Sequence, residues 1–411
     1  MGMYRLRRVD ALIERLFEEL PAIFLVGPRA SGKTTTAQRF AKTVLRLDDP
    51  ALAAAVRADP DGALRGVPEP VLLDEWQLVP EVLGAVKRSV DQDFRPGRFI
   101  VTGSVRAAQN PIVWPGTGRL VRITMYGMSI REQIGSPTGS SFFDLVGDGT
   151  LDLPLPPDPP DLRGYVALAL RSGFPEVAFG MSPRARQAWL SSYIEQLVTR
   201  DVESVDGARD ASRLRRYLEA YVLNSAGIVD DKTLLEATQV DRRTARSYER
   251  LLSDLFVTEN VSAWSTNRLT RLTRMEKRYV VEPALLGTLS GVDEDGFLRD
   301  GTLLGRLIET FVFAQLRSEL EVSTARPRLY HLRQQQGRHE VDVVAELGGQ
   351  RIIAFEIKLG SAPTTDDARH LTWMRDHLGE QFVSGIIFHT GPRAFRMSDR
   401  IQAVPICALW G

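Results

Sequence analysis

Three short stretches of this 411-residue chain combine residue types at spacings that chemistry uses. The first, Gly27-Pro28-Arg29-Ala30-Ser31-Gly32-Lys33-Thr34-Thr35, follows an apolar run and satisfies G-x-x-x-x-G-K-[ST]. Its glycines let the backbone approach an anion, and the N-terminus of the helix that should follow presents unpaired N–H groups. Lys33 is placed to reach the β- and γ-phosphates of ATP, and the Thr34 hydroxyl to ligate Mg2+. The second stretch is Asp74-Glu75, directly after Val71-Leu72-Leu73. Two acids at the end of a buried strand suit a metal-water contact by the first and polarisation of the attacking water by the second. The third is Asp342, Glu356 and Lys358, spaced D-x(13)-E-x-K. Here two carboxylates suit a divalent ion that activates water, and Lys358 supports the developing charge.

These groups need elements to carry them. Residues 4–20 place Val9, Leu12, Ile13, Leu16, Phe17 and Leu20 at helical spacing, so an amphipathic helix leads into the strand before the phosphate-binding loop. Val44-Leu45-Arg46-Leu47 is expected as a second strand, followed by an alanine-rich helix to about Ala58, and Arg98–Ser104 as a further buried strand. Ligands of parallel α/β sheets bind at the carboxyl ends of strands, which makes Thr102 and Ser104 candidates for sensing phosphate or orienting water. Arg119, before another apolar strand, is the first choice for an arginine that neutralises transition-state charge, in cis or from a neighbouring subunit.

Taken together, Gly27-Pro28-Arg29, Leu47-Asp48-Asp49-Pro50, Asp74-Glu75-Trp76-Gln77, Pro96-Gly97-Arg98-Phe99, Thr102-Gly103-Ser104, Gly118-Arg119 and Ser129-Ile130-Arg131-Glu132 resemble a bacterial and archaeal family of AAA-type ATPases. In that family the P-loop module is fused to a C-terminal domain of largely unassigned function. The resemblance implies an ASCE-type P-loop core with Lys33, Thr34, Asp74 and Glu75 in the roles derived above. Trp76 departs from the small aliphatic residue commoner at its position.

Lys plus Arg and Asp plus Glu number 52 each, so net charge favours neither nucleic acid nor membrane, and any basic surface must be local. A single cysteine, Cys407 in an apolar terminal run, excludes an internal disulfide framework and reads as a buried thiol. No apolar stretch approaches the roughly 20 residues of a membrane span, and the start lacks a signal peptide's apolar core. A cytoplasmic protein without membrane partners is the expectation.

Residues 151–161 hold five prolines and read as a stiff connector. The expected division is an ATPase domain over 1–150, this linker, a helical region over 162–295, and an α/β domain over 296–411. Within the helical region, Lys232 to Val240 and Arg242 to Leu252 read as two helices across a tight turn, with Asp241 as N-cap and a hairpin after them: a winged-helix element. Arg242, Arg243, Arg246 and Arg250 fall on its exposed face, as a helix reading DNA would present them, and Arg268, Arg271 and Arg274 fall between the hairpin strands. Between 241 and 278 there are nine Lys/Arg against five Asp/Glu, an excess of four that also suits protein docking.

The C-terminal pattern resembles the PD-(D/E)xK, restriction-endonuclease-like fold, and the resemblance implies that Glu309, the one acid of the amphipathic helix opening at Gly305, joins Asp342 and Glu356 at the metal site. For Asp342 to share a sheet face with Glu356, the hairpin joining their strands must have a three- or five-residue turn centred on Gly349. The whole reads as a Mg2+-dependent ATPase whose P-loop module governs a nuclease-like, nucleic-acid-binding region. The alternative is a nucleotide-controlled switch that binds protein or DNA without cutting.

Overall fold

The computed structural model describes residues 4–105, 118–150, 152–206, 211–228, 231–272, 274–334 and 338–411. They form two compact units, one of residues up to 128 with 174–176 and 254–256, the other of the remainder.

The first unit is built on a parallel five-stranded sheet of order β2-β3-β4-β1-β5. Its strands are β1 Ala22–Val26, β2 Thr43–Arg46, β3 Val71–Asp74, β4 Phe99–Gly103 and β5 Leu120–Thr124. β1, β3 and β4 are buried along their whole length, which is why they read as unbroken apolar runs. Side chains alternate between two cores. Ala22, Phe24 and Val26 pack with Val56, Val82 and Val86 on one face, and Ile23 and Leu25 pack with Val9, Ile13 and Ala37 on the other. Helix Arg8–Phe17, expected over 4–20, therefore covers the second face, and helices Pro50–Ala58 and Val82–Gln92 cover the first.

The second unit joins helices to a six-stranded mixed sheet. Helices Ala211–Leu223, Asp231–Thr238 and Arg242–Asp254 precede an antiparallel pair, β6 Thr258–Val261 and β7 Lys277–Val280. The larger sheet, of order β12-β13-β11-β10-β9-β8, comprises β8 Arg328–Gln334, β9 His339–Glu346, β10 Ile352–Ile357, β11 Phe382–His389, β12 Phe395–Ser398 and β13 Ile401–Pro405. Helix Gly301–Ser318 carries Glu309. The β9–β10 connection is residues 347–351, centred on Gly349 at φ 74°, and it sets Ile352 opposite Glu346. That odd-numbered loop puts Asp342 and Glu356 on one face, as the metal-site reading required.

The compact units divide the chain at places other than the expected boundaries. The unit holding the phosphate loop closes at Met128 instead of near 150, because residues 129–149 have partners in the other unit's own core. Phe142 meets Phe355 and Phe388 at ring distances of 6.4 and 5.8 Å, and its N–H bonds Glu319 at 3.0 Å. Regions 162–295 and 296–411 pack largely within that same compact unit. Residues 152–161 form neither helix nor strand, and Leu153 within them is buried, so the proline-rich stretch packs against its own unit. The apolar terminal run leaves β13 at Pro405 and passes into a 3-10 turn, Ile406–Leu409, which buries Cys407.

One buried acid of this unit has a testable consequence. Glu282 accepts N–H bonds from Gly173 at 3.0 Å and Ala284 at 3.3 Å, and burial pushes its carboxyl up to about 7 from an ordinary 4.5. The native state thus keeps a proton that the unfolded chain releases near 4.5, and this contribution to stability is lost as pH rises through about 7. It amounts to at most about 3 kcal/mol. Urea midpoints followed from pH 5 to 8 are expected to fall less steeply for Glu282→Gln than for the natural chain, whereas equal slopes would show that Glu282 does not titrate there.

Candidate functional site

The phosphate-binding loop leaves β1 at Val26 and enters helix Lys33–Gln38. Gly27 cannot be replaced without a shift, since a Cβ would stand 2.1 Å from the Met125 carbonyl oxygen. Gly32, at φ 91°, turns the chain into the helix. Lys33 is buried, and its Nζ donates to the carbonyls of Gly27 at 3.0 Å and Pro28 at 2.7 Å, across the mouth of its own loop. Burial pulls the ammonium down to about 8, against the upward pull of Glu75 and Asp74. Ser31 is buried, whereas Arg29, Ala30 and Thr35 are exposed.

β4 lies between β1 and β3, and this order brings the polar ends of all three together. Thr34 Oγ1 donates to Asp74 Oδ1 at 2.8 Å, and Thr102 Oγ1 donates to the same oxygen. Thr102, read as a phosphate sensor, instead helps to orient the buried Asp74 carboxylate. Glu75 adopts the left-handed conformation at φ 57°, which turns the chain sharply after the strand, and its carboxylate accepts from Gln77 Nε2. Trp76 packs edge-on against Phe24 at 5.7 Å, and Gly103 leaves room for its ring.

Arg119 is not placed for a role in cis. β1 and β5 are parallel with Ala22 opposite Leu120, so Arg119 lies at the amino end of the sheet and the phosphate loop at the carboxyl end, about 17 Å of strand away. Its guanidinium pairs with Asp91 at 2.7 Å.

Arg7 was not singled out from the sequence. It is buried and donates to the carbonyls of Ser31 at 2.7 Å and Tyr126 at 2.8 Å, tying the phosphate loop to the chain after β5. Its own backbone N–H bonds Asp10, whose carboxylate also takes Arg39 at 2.6 Å and Tyr4 at 2.9 Å. Only the amphipathic pattern of residues 4–20 hinted that this segment packs near the loop, and nothing in a motif marks the arginine.

In the second unit Asp342, Glu356 and Lys358 do come together, with Glu309 beside them. Their partners differ from those of a metal centre. Lys277, on β7, is buried and pairs with both Glu309 and Asp342, the latter at 3.3 Å. Tyr279 donates to Glu309 at 2.7 Å, the Ile357 N–H to Asp342 at 2.9 Å, and Lys358 Nζ to Glu356 at 2.8 Å. Burial pushes Glu356 up to about 8 and Glu309 to about 7, while the carboxylates hold the Lys277 ammonium above its usual range. Among the described residues no three His, Cys, Asp or Glu side chains are arranged to hold a metal ion. Of the three acids expected to hold a metal ion, Glu309 and Asp342 share the Lys277 ammonium between them. The sequence had shown Lys277 only as one of the wing's basic residues.

The basic helix has the expected face. Ala245, Tyr248, Leu252 and Leu255 are buried, Arg242, Arg243, Arg246 and Arg250 are exposed, and Asp241 caps the helix through the N–H groups of Arg243 and Thr244 at 2.9 and 3.0 Å. Arg271, assigned to a wing tip, instead pairs with Glu346 at 2.6 Å and lies over the Trp264 and Tyr330 rings. The side chains of Arg200 and Asp201, adjacent opposite charges that could form a structural ion pair or face the nucleotide site, lie outside the described residues. No described helix is long and apolar enough to cross a membrane.

Comparison with known proteins divides the chain into three matches. Residues 19–134 match an AAA domain, residues 162–296 a domain of unknown function (DUF8612), and residues 304–409 a second domain of unknown function (DUF4143). Two uncharacterized proteins, from Mycobacterium bovis and Mycobacterium tuberculosis, are each 28% identical over 409 residues, covering 97% of this chain and 83% of the relative. A solved structure, the Walker-type ATPase PABY2304 of Pyrococcus abyssi, aligns over 68% of this chain and 94% of its own at 12% identity and a TM-score of 0.39. The AAA match covers the parallel sheet, the phosphate loop and Asp74-Glu75, and at the family level it supports a P-loop ATPase domain that binds ATP.

Proposed function

We propose that the chain hydrolyses ATP in a Mg2+-dependent reaction at the carboxyl edge of the parallel sheet. The observation that carries this reading is the convergence of Lys33, Thr34 and Thr102 on the phosphate loop and Asp74. Lys33 already donates to two loop carbonyls, and an incoming polyphosphate offers better acceptors for the same ammonium. The loop N–H groups and the start of helix Lys33–Gln38 stabilise the phosphate oxygens. Thr34 and Asp74 are the residues that would hold Mg2+, which supplies charge neutralisation between the β- and γ-phosphates. Glu75 orients the attacking water and receives its proton. Phosphate release by the purified chain, compared in Mg2+ and in EDTA, tests the reading, and turnover that is indifferent to chelation would overturn it.

For the second unit, the position of Lys277 among the acids favours the switch reading: a surface that binds nucleic acid or protein according to nucleotide state and does not cut. Arg242, Arg243, Arg246 and Arg250 are the residues assigned to DNA phosphates. A panel of DNA and RNA substrates with Mg2+ or Mn2+, with ATP or ADP, is expected to show nucleotide-dependent binding and no products. Products that disappear in Asp342→Ala would reinstate the nuclease reading.

A further inference from the structure

We infer that the Lys277 ammonium is the resident cation of the second unit's acidic centre, standing where a divalent ion would otherwise sit. The inference extends the non-cleaving reading of that unit and does not depend on ATP turnover at the phosphate loop. Lys277 Nζ faces three oxygens of the group: Glu309 Oε1, Asp342 Oδ1 at 3.3 Å and the Asp342 carbonyl at 3.5 Å. This is the oxygen-rich surrounding that a hard divalent cation takes, filled by a covalently attached point charge. The ammonium is buried and held on β7, so its position is set by the pairing of β7 with β6 and by its two carboxylates. Glu356 adds the second observation. It is buried, its Oε2 accepts from Lys358, and its Oε1 has no hydrogen-bond partner among the described residues, an acceptor that a metal centre would use and that Lys277 leaves unfilled.

The charges fit the same account. Three acids, Glu309, Asp342 and Glu356, face two lysines, Lys277 and Lys358, so without a metal the lysines already offset all but one of the formal negative charges. A divalent ion entering this arrangement would meet a buried ammonium within a few ångströms, a repulsion that low dielectric strengthens. Removing the ammonium reverses the balance. Two buried carboxylates then lack their counter-charge, the setting in which protein oxygens bind Mn2+ or Mg2+.

The test uses the full chain without nucleotide and follows Mn2+ by electron paramagnetic resonance and by thermal midpoint. The natural chain is expected to show no Mn2+ binding that Asp342→Asn removes. Lys277→Met, close in shape and uncharged, is expected to melt lower, to recover with Mn2+, and to bind it at least tenfold more tightly than the natural chain does. In Lys277→Met/Asp342→Asn both responses should be lost. Natural protein that binds Mn2+ through Asp342 would overturn the inference, as would a folded Lys277→Met that is indifferent to Mn2+. Should Lys277→Met not fold, Lys277→Gln takes its place, and the comparison of natural chain with Asp342→Asn still decides whether the lysine excludes the metal.

Discussion

Lys33→Ala is expected to lower ATP turnover by about a hundredfold or more, the scale set by removing one preorganised charge donor from a developing anion. The geometry says why no neighbour takes over. Lys33 is buried at the mouth of the loop, while Arg29 is exposed and Arg119 is at the opposite end of the sheet. The loop itself should survive, because its turn rests on Gly27 and Gly32 and on the Arg7 bonds to Ser31 and Tyr126. The thermal midpoint should therefore move little while phosphate release collapses. Single-turnover kinetics beside circular dichroism make the check, and hydrolysis surviving in a clean Lys33→Ala preparation would contradict the proposed site.

Glu75→Gln should separate binding from chemistry. The substitution preserves shape, and either residue tolerates the left-handed turn that follows β3. Asp74 keeps its bonds from Thr34 and Thr102, so the metal-holding carboxylate is undisturbed. What is lost is the carboxylate that takes a proton from water, a contribution of about 10²–10⁴ in rate. A fluorescent ATP analogue should bind Glu75→Gln about as tightly as the natural chain, with phosphate release reduced by that factor. Unchanged turnover would move the base to another residue.

How much of this was legible beforehand follows from the range of the interactions involved. The phosphate loop is a local motif: six residues between strand and helix, two of them glycines with a steric reason, are written consecutively. β1, β3 and β4 were readable because strands buried on both faces leave unbroken apolar runs. The five-residue turn at Gly349 followed from the two-residue side-chain period of a strand, which permits Asp342 and Glu356 one shared face only with an odd loop. The cap at Asp241 and the buried stripe of helix Arg242–Asp254 were likewise local.

The misreadings all concern partners distant in the chain. Arg119 was chosen for its place before an apolar strand, and strand order and direction put it at the amino end of the sheet, which argues against the role in cis and leaves that from a neighbouring subunit. Residues 129–149 were counted with the phosphate loop by proximity in sequence, whereas their aromatic side chains pack on strands more than two hundred residues later, as in Phe142 with Phe355 and Phe388.

By itself, then, the sequence determined that the chain carries a phosphate-binding loop with two acids to match, and that Asp342 and Glu356 can share a sheet face only across an odd-numbered loop. Tertiary structure decided that Thr102 orients Asp74, that Arg7 anchors the loop, and that Lys277 stands among the acids. The physical reason is that residue types and periodicity encode what a segment offers, while the identity of a buried charge's partner depends on which distant segment folding brings within hydrogen-bonding range. For the acidic centre that partner is an ammonium from β7, and it changes the chemistry the same three carboxylates support.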